Sequence, residues 1–144
     1  MAVTFNKFQD FSEQLALGIH KFDNTHTLKW ALTNTAPVAT NTILSNITQI
    51  SGTNGYTTGG TAITTAESET TGTTTVTLTQ CVFTAAGGSM GPFRYAVLYN
   101  DTATAPLDAL IGWVDYASAI TLLDTETFTI KANAASPGTL FTLV

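Results

Sequence analysis

His20, Asp23 and His26 stand in an H-x2-D-x2-H array. Imidazoles and a carboxylate are the donors of a transition-metal site. The stretch from Ile19 to Thr25 reads as a polar connection, however, where this spacing does not force the donors together, so no metal is expected and the three are read as polar loop side chains. Gly87-Gly88-Ser89-Met90-Gly91 fits the G-x-S-x-G pattern of a nucleophile elbow. An elbow needs a strand before the serine and a helix after it, with the catalytic histidine last in the chain. Here Pro92 and a strand follow, and both histidines precede Ser89, so the segment is read as a glycine-rich turn. Asp108, Asp115, Asp124 and Glu126 offer carboxylates for glycoside hydrolysis, which needs two acids about 5–10 Å apart in a cleft. Near strand ends such acids read as solvated. Phe93, Tyr95, Tyr99, Trp113 and Tyr116 have the chemistry of an aromatic sugar-binding platform, but the strands that carry them also read as core. No catalytic, cofactor-binding or metal-ligating residue is therefore assigned, and no enzyme activity is expected.

The elements that position these residues centre on Gly91 to Asn100. Phe93, Tyr95, Val97 and Tyr99 alternate on one face, and Ala96 and Leu98 make the other apolar. A strand apolar on both faces belongs inside a packed sheet. Pro92 suits its first position, and Asn100-Asp101 ends the run. Leu110 to Tyr116 is a second aromatic-rich strand, so Tyr95, Val97, Leu98, Trp113 and Val114 are expected in the core. Leu28, Trp30 and Leu32 alternate with Lys29 in another strand. Ile43, Leu44, Ile47 and Ile50 fit a helical turn or a short strand equally well. Asn54-Gly55 and Gly59-Gly60 mark turns. Thr61 to Thr65 and Thr70 to Phe83 read as threonine-rich strands, with an exposed Glu67-Ser68-Glu69 between them. Ile120 to Leu122 and Glu126 to Ile130 read as two short strands, and Ser136-Pro137-Gly138 turns into a last one at Leu140 to Val144.

Phe5, Phe8, Phe11 and Leu15 recur at steps of three and four, one apolar helical stripe. Asn6 as N-cap, Gln9 as its capping-box partner and Gly18 at C′ place that helix at about residues 7–17. The expected fold is mainly β, an antiparallel β-sandwich or jelly-roll-like domain over residues 26–144 with one short N-terminal α-helix, all in a single domain.

Only 10% of the 144 residues are charged and about a fifth are threonine, so the polar surface must be largely neutral. The formal net charge is −5, and Lys7, Lys21, Lys29, Arg94 and Lys131 are dispersed. That is no footprint for a phosphate backbone, and nucleic acid is not an expected partner. Cys81 is the single cysteine, excludes an internal disulfide, and reads as a small buried hydrophobe. No apolar run approaches the ~18 residues of a membrane span, and no apolar core of a signal peptide is present. Asn46-Ile47-Thr48 and Asn100-Asp101-Thr102 match the glycosylation sequon but carry little weight without a secretion signal.

Four segments together carry a resemblance: Lys7 to Phe11 through Gly18, Thr27 to Pro37, Asn54-Gly55-Tyr56 with Gly59-Gly60, and Gly91 to Asp101 with Ile111 to Tyr116. As a set they resemble a family of small structural virion proteins of tailed bacteriophages and prophages. The resemblance implies no cofactor and a place in the virion, assembled in the host cytoplasm. It implies as partners the major capsid protein or other virion proteins, and further copies of the chain in a homo-oligomer. The role it implies first is capsid decoration or cement. A tail or neck component, such as a fibre, spike or tube element, comes second, and a carbohydrate-binding module third. Phe5, Phe8, Phe11 and Leu15 are the candidate assembly interface, unless they cover an open end of the sandwich in the same chain.

Overall fold

The computed structural model describes residues 4–132 and 137–144. In chain order the elements are β1 (Phe5–Lys7), α1 (Phe11–Ala16), β2 (Leu28–Thr33), a 3-10 turn (Leu44–Asn46), β3 (Thr61–Ile63), β4 (Thr65–Thr70), β5 (Thr73–Leu78), β6 (Cys81–Thr84), β7 (Met90–Thr104), β8 (Leu107–Leu122), β9 (Thr127–Ile130) and β10 (Gly138–Leu143). They form three antiparallel sheets, ordered β1-β8-β7-β2-β3, β10-β5-β4 and β6-β9. The chain is mainly β with one short α-helix near its start.

The strand with two apolar faces, β7, is the middle strand of the large sheet. On one face Trp30, Leu32, Phe93, Leu98 and Ile111 share a cluster with Val76 and Leu78 of the three-stranded sheet and with Cys81, Phe83 and Ile130 of the two-stranded one. The large sheet thus lies sandwich-like on both small sheets. On the opposite face Val97, Tyr99 and Leu110 pack with Phe8, Leu44 and Ile47. The second face is apolar because the segments around Phe8 and the 3-10 turn cover it.

The expected helix at 7–17 is corrected to six residues, Phe11–Ala16, with Asp10 rather than Asn6 at its N-cap. Residues 5–7 instead pair with β8, Phe5 opposite Val114 and Lys7 opposite Gly112. A short isolated helix gains little in water, whereas these residues close an open edge of β8. The phenylalanines therefore diverge. Phe5 lies edge-on to Trp30, Phe8 packs on Trp113 with ring centroids 4.6 Å apart, and Phe11 meets Phe22 and Phe141. Gly112 is where β1 comes close, since a Cβ there would stand 2.2 Å from the Phe5 ring. Gly18 does end the helix, at φ +72°. Its N–H bonds to Leu15 O and the Ile19 N–H to Gln14 O, a Schellman arrangement.

Other boundaries shift for local reasons. β7 runs past Asn100-Asp101 to Thr104, and Pro92 is its third residue, within an irregular stretch of the ladder. Phe93 pairs Ile120 and Tyr95 pairs Asp115, so β8 bulges between them. This breaks the period of two and puts Phe93 in the first cluster and Val97 in the second. Ile120 to Leu122 is the end of β8, not a separate strand. Glu67-Ser68-Glu69 is exposed but lies inside β4, and the turn falls at Thr71-Gly72. The ambiguous isoleucine segment combines both readings, with the 3-10 turn flanked by single bridges Ile43 to Ala109 and Thr33 to Gln49. Tyr95, Val97 and Leu98 are buried, while Trp113 and Val114 are half-buried against the clusters. Ser136 of the expected last turn lies outside the described residues.

Candidate functional site: a buried amide between two histidines

The most unusual chemistry sits where β7 leaves the large cluster. Ala96, Leu98 and Asn100 follow one another on the same face, so the last of them carries an amide into apolar surroundings. Asn100 is fully buried, and Gln14 and His20 are nearly so. The Schellman turn after α1 aims the Ile19 carbonyl and the His20 ring at Asn100, and the loop before β2 brings in His26.

The hydrogen bonds fix the orientation of every group. Asn100 Oδ1 accepts the Thr102 N–H at 3.0 Å, so the amide nitrogen faces the other way. Asn100 Nδ2 lies 3.2 Å from Ile19 O, 3.2 Å from His20 Nδ1 and 2.9 Å from His26 Nδ1. An amide nitrogen only donates, and its two hydrogens serve three acceptors here, so one hydrogen is shared; a neutral His20 accepts its share at Nδ1 and carries its proton on Nε2. His20 Nε2–H then donates to Gln14 Oε1 at 2.8 Å. The rings of Phe11 and Phe22 flank His20, with centroids 5.4 and 6.3 Å away. Burial, and secondarily the repulsion that a charge on His26 would exert, lowers the His20 pKa to about 4.

The structure brings His20 and His26 together but leaves Asp23 out. Asp23 is exposed, and its Oδ1 accepts from the backbone N–H and the hydroxyl of Thr25, bonds that lower its pKa. No group of three or more potential metal-binding side chains occurs among the described residues. Ser89 is exposed, its carbonyl accepts from Asn54 Nδ2 at 2.8 Å, and Met90 opens β7 directly after it. Each of the four acids named from the sequence sits at its own place. Asp115 makes a two-point pair with Arg94 at 2.7 and 2.9 Å, which lowers its pKa. Asp124 accepts the Gly87 N–H and Glu126 the Leu123 N–H, each at 2.8 Å. Asp108 is half-buried, and burial followed by the charge of Asp101 raises its pKa. The aromatic residues do not share a face either. Phe93 belongs to one cluster and Tyr99 to the other, Trp113 packs beside the latter, and exposed Tyr116 lies edge-on to Phe128. Burial pushes the Cys81 thiol up to about 12, so it packs as a hydrophobe at neutral pH.

Of the candidate interface residues, Phe8 and Phe11 are buried within the chain, and Phe5 and Leu15 are half-buried. Sequence reasoning passed over Gln14 and took Asn100 for a strand breaker. The available signal was the period of Ala96, Leu98 and Asn100, which puts the asparagine on a core face. No protein-family model, no curated protein and no solved structure matches this chain.

Proposed function

We propose that this protein is a structural component of a tailed-bacteriophage particle, acting in many copies as a decoration or cement protein on the capsid lattice. The observation that carries the reading is where the segments of the resemblance fall. Lys7 lies in β1, Thr27 to Pro37 spans β2, and Gly91 to Asp101 and Ile111 to Tyr116 lie in β7 and β8. These are four consecutive strands of one sheet. The Asn54 to Gly60 turn packs on the same sheet, Gly59 O accepting from the Tyr99 hydroxyl and a Cβ at Gly60 falling 1.8 Å from Trp30 O. What the resemblance marks is a framework. The polar groups that suggested chemistry hold that framework, with Asp124 and Glu126 closing turns and His20, His26 and Asn100 joining a loop to a strand. The threonine-rich β4–β5 hairpin leaves a mostly neutral surface suited to packing against identical neighbours.

Mass spectrometry of purified particles, with a reconstruction that locates the chain, tests this reading. Copies distributed over the capsid lattice are expected. Copies confined to the tail or neck would replace decoration with the second role, and absence from particles would overturn the virion reading.

A further inference from the structure

Residues 17–26, between α1 and β2, belong to no strand ladder. Besides the contacts to Asn100, the segment is held by the reciprocal Asn24–Thr65 bonds, at 3.2 and 3.3 Å, and by the Phe22 ring. Under it Phe11 and Phe141 lie edge to face, 5.8 Å apart, each also against Phe22. We propose that Asn100, His20 and His26 form an acid-released latch, in which proton uptake by the buried His20 ring frees residues 17–26 and uncovers the aromatic cluster beneath. The inference does not depend on the virion reading.

The geometry favours a neutral His20 ring. A protonated ring carries N–H at both nitrogens, so its Nδ1 would meet the Asn100 NH2 donor to donor. Flipping the amide does not help, because Nδ2 would then face the Thr102 N–H and Ile19 O would lose its partner. A new charge there would also lack a counterion. The charged groups on the surrounding elements are Asp10 and Glu13 of α1, Lys21 and Asp23 of the segment, Lys29 of β2, Glu67 and Glu69 of β4, Arg94 and Asp101 of β7, and Asp108 and Asp115 of β8; β10 carries none. Lys29 and Asp101 pair with each other at 2.9 Å, and Asp23 is held by Thr25. Among the described residues none of these groups hydrogen-bonds either ring. Burial of His20 acts in the same direction. An uncompensated charge in such surroundings is expelled or neutralised, and the loop can move where the ladders of β7 cannot.

Hydrogen–deuterium exchange on the full chain, corrected for the intrinsic pH dependence of amide exchange, tests the latch between about pH 7 and about pH 4. Exchange in residues 17–26 is expected to rise about tenfold or more while the centres of β7 and β8 stay protected. The paired substitution His20→Gln with His26→Gln should flatten the response, and Asp23→Asn should leave it in place. Equal protection of the segment at both ends of the range overturns the latch. So does opening of β7 and β8 together with it, or an unchanged response in the paired variant. If the paired variant does not fold, the NMR titration of the His20 and His26 rings in the natural chain decides. An opening midpoint that does not follow the His20 ring overturns the proposal.

Discussion

Tyr99 and Asn100 are neighbours on β7, both buried, and they face opposite sides of the large sheet. Each ends in a polar group that anchors a loop. The Tyr99 hydroxyl donates to Gly59 O at 2.7 Å and holds the turn at Asn54 to Gly60. Asn100 holds the loop between α1 and β2 through two imidazoles. Burial, and then the charges of Asp101 and Asp108, raises the phenol pKa, so it keeps its proton throughout the ordinary pH range. The His20 imidazole, held at about 4, changes its hydrogen-bonding character when the pH falls that far. Two anchors one residue apart thus differ in what can undo them. A phenol against a carbonyl is a fixed tie, while an amide against a buried histidine is conditional on pH.

The largest expected effect removes the framework both anchors share. Val97 is fully buried beside Tyr99 in the second cluster. Val97→Asp buries a charge without a partner and should cost about 4 kcal/mol or more, a large share of the stability of an ordinary domain. Chemical denaturation measures it, and a parent-like midpoint would remove β7 from the centre of the fold. Next comes Asn100→Leu, which strips partners from Ile19 O, both Nδ1 atoms and the Thr102 N–H. A loss of roughly 2–4 kcal/mol is expected. A loss well under 1 kcal/mol would show that water replaces the amide and that the anchor is dispensable.

A smaller effect tests the conditional tie without mutation. His20 is held at about 4 against an ordinary value of 6.5, so over that interval it is neutral in the fold and charged in the unfolded chain. The unfolded chain then binds more protons, and stability must rise with pH across the interval. The contribution is complete above the ordinary imidazole value and is lost as pH falls toward about 4, by roughly 3 kcal/mol at most. Denaturant midpoints across that interval in the parent and in His20→Gln measure it, and equal slopes in the two would take His20 out of the linkage.

The contrast between the anchors also explains what the sequence made legible. The place of β7 was readable because an apolar run on both faces has few other solutions. Gly18 was readable because a helix ending there needs a left-handed residue. The start of the helix was not, because the spacing of Phe5, Phe8 and Phe11 fits a stripe as well as it fits three separate destinations. Only the open edge of β8, a tertiary feature, decides between them. The H-x2-D-x2-H array pointed to the right two histidines and the wrong partner. Their shared neighbour is Asn100, far along the chain, and the intervening Asp23 turns back on Thr25.

The smallest expected effect belongs to the fixed tie. Tyr99→Phe removes one hydroxyl, leaves the ring in the second cluster, and deprives Gly59 O of its 2.7 Å donor. The turn keeps other bonds, since Gln49 Oε1 accepts from both the Gly59 N–H and the Tyr56 hydroxyl, and the Leu32 N–H donates to that hydroxyl. The loss should therefore be close to that of a single neutral hydrogen bond, about 1 kcal/mol. More telling is the slope. Because Tyr99 does not titrate near neutrality, the variant should lose the same amount at pH 7 as near pH 5, and its stability–pH curve should run parallel to the parent's. A curve that converges on the parent's as pH falls would mean that the Tyr99 and Asn100 anchors are coupled through β7. The strand would then carry one polar network in place of two independent ties.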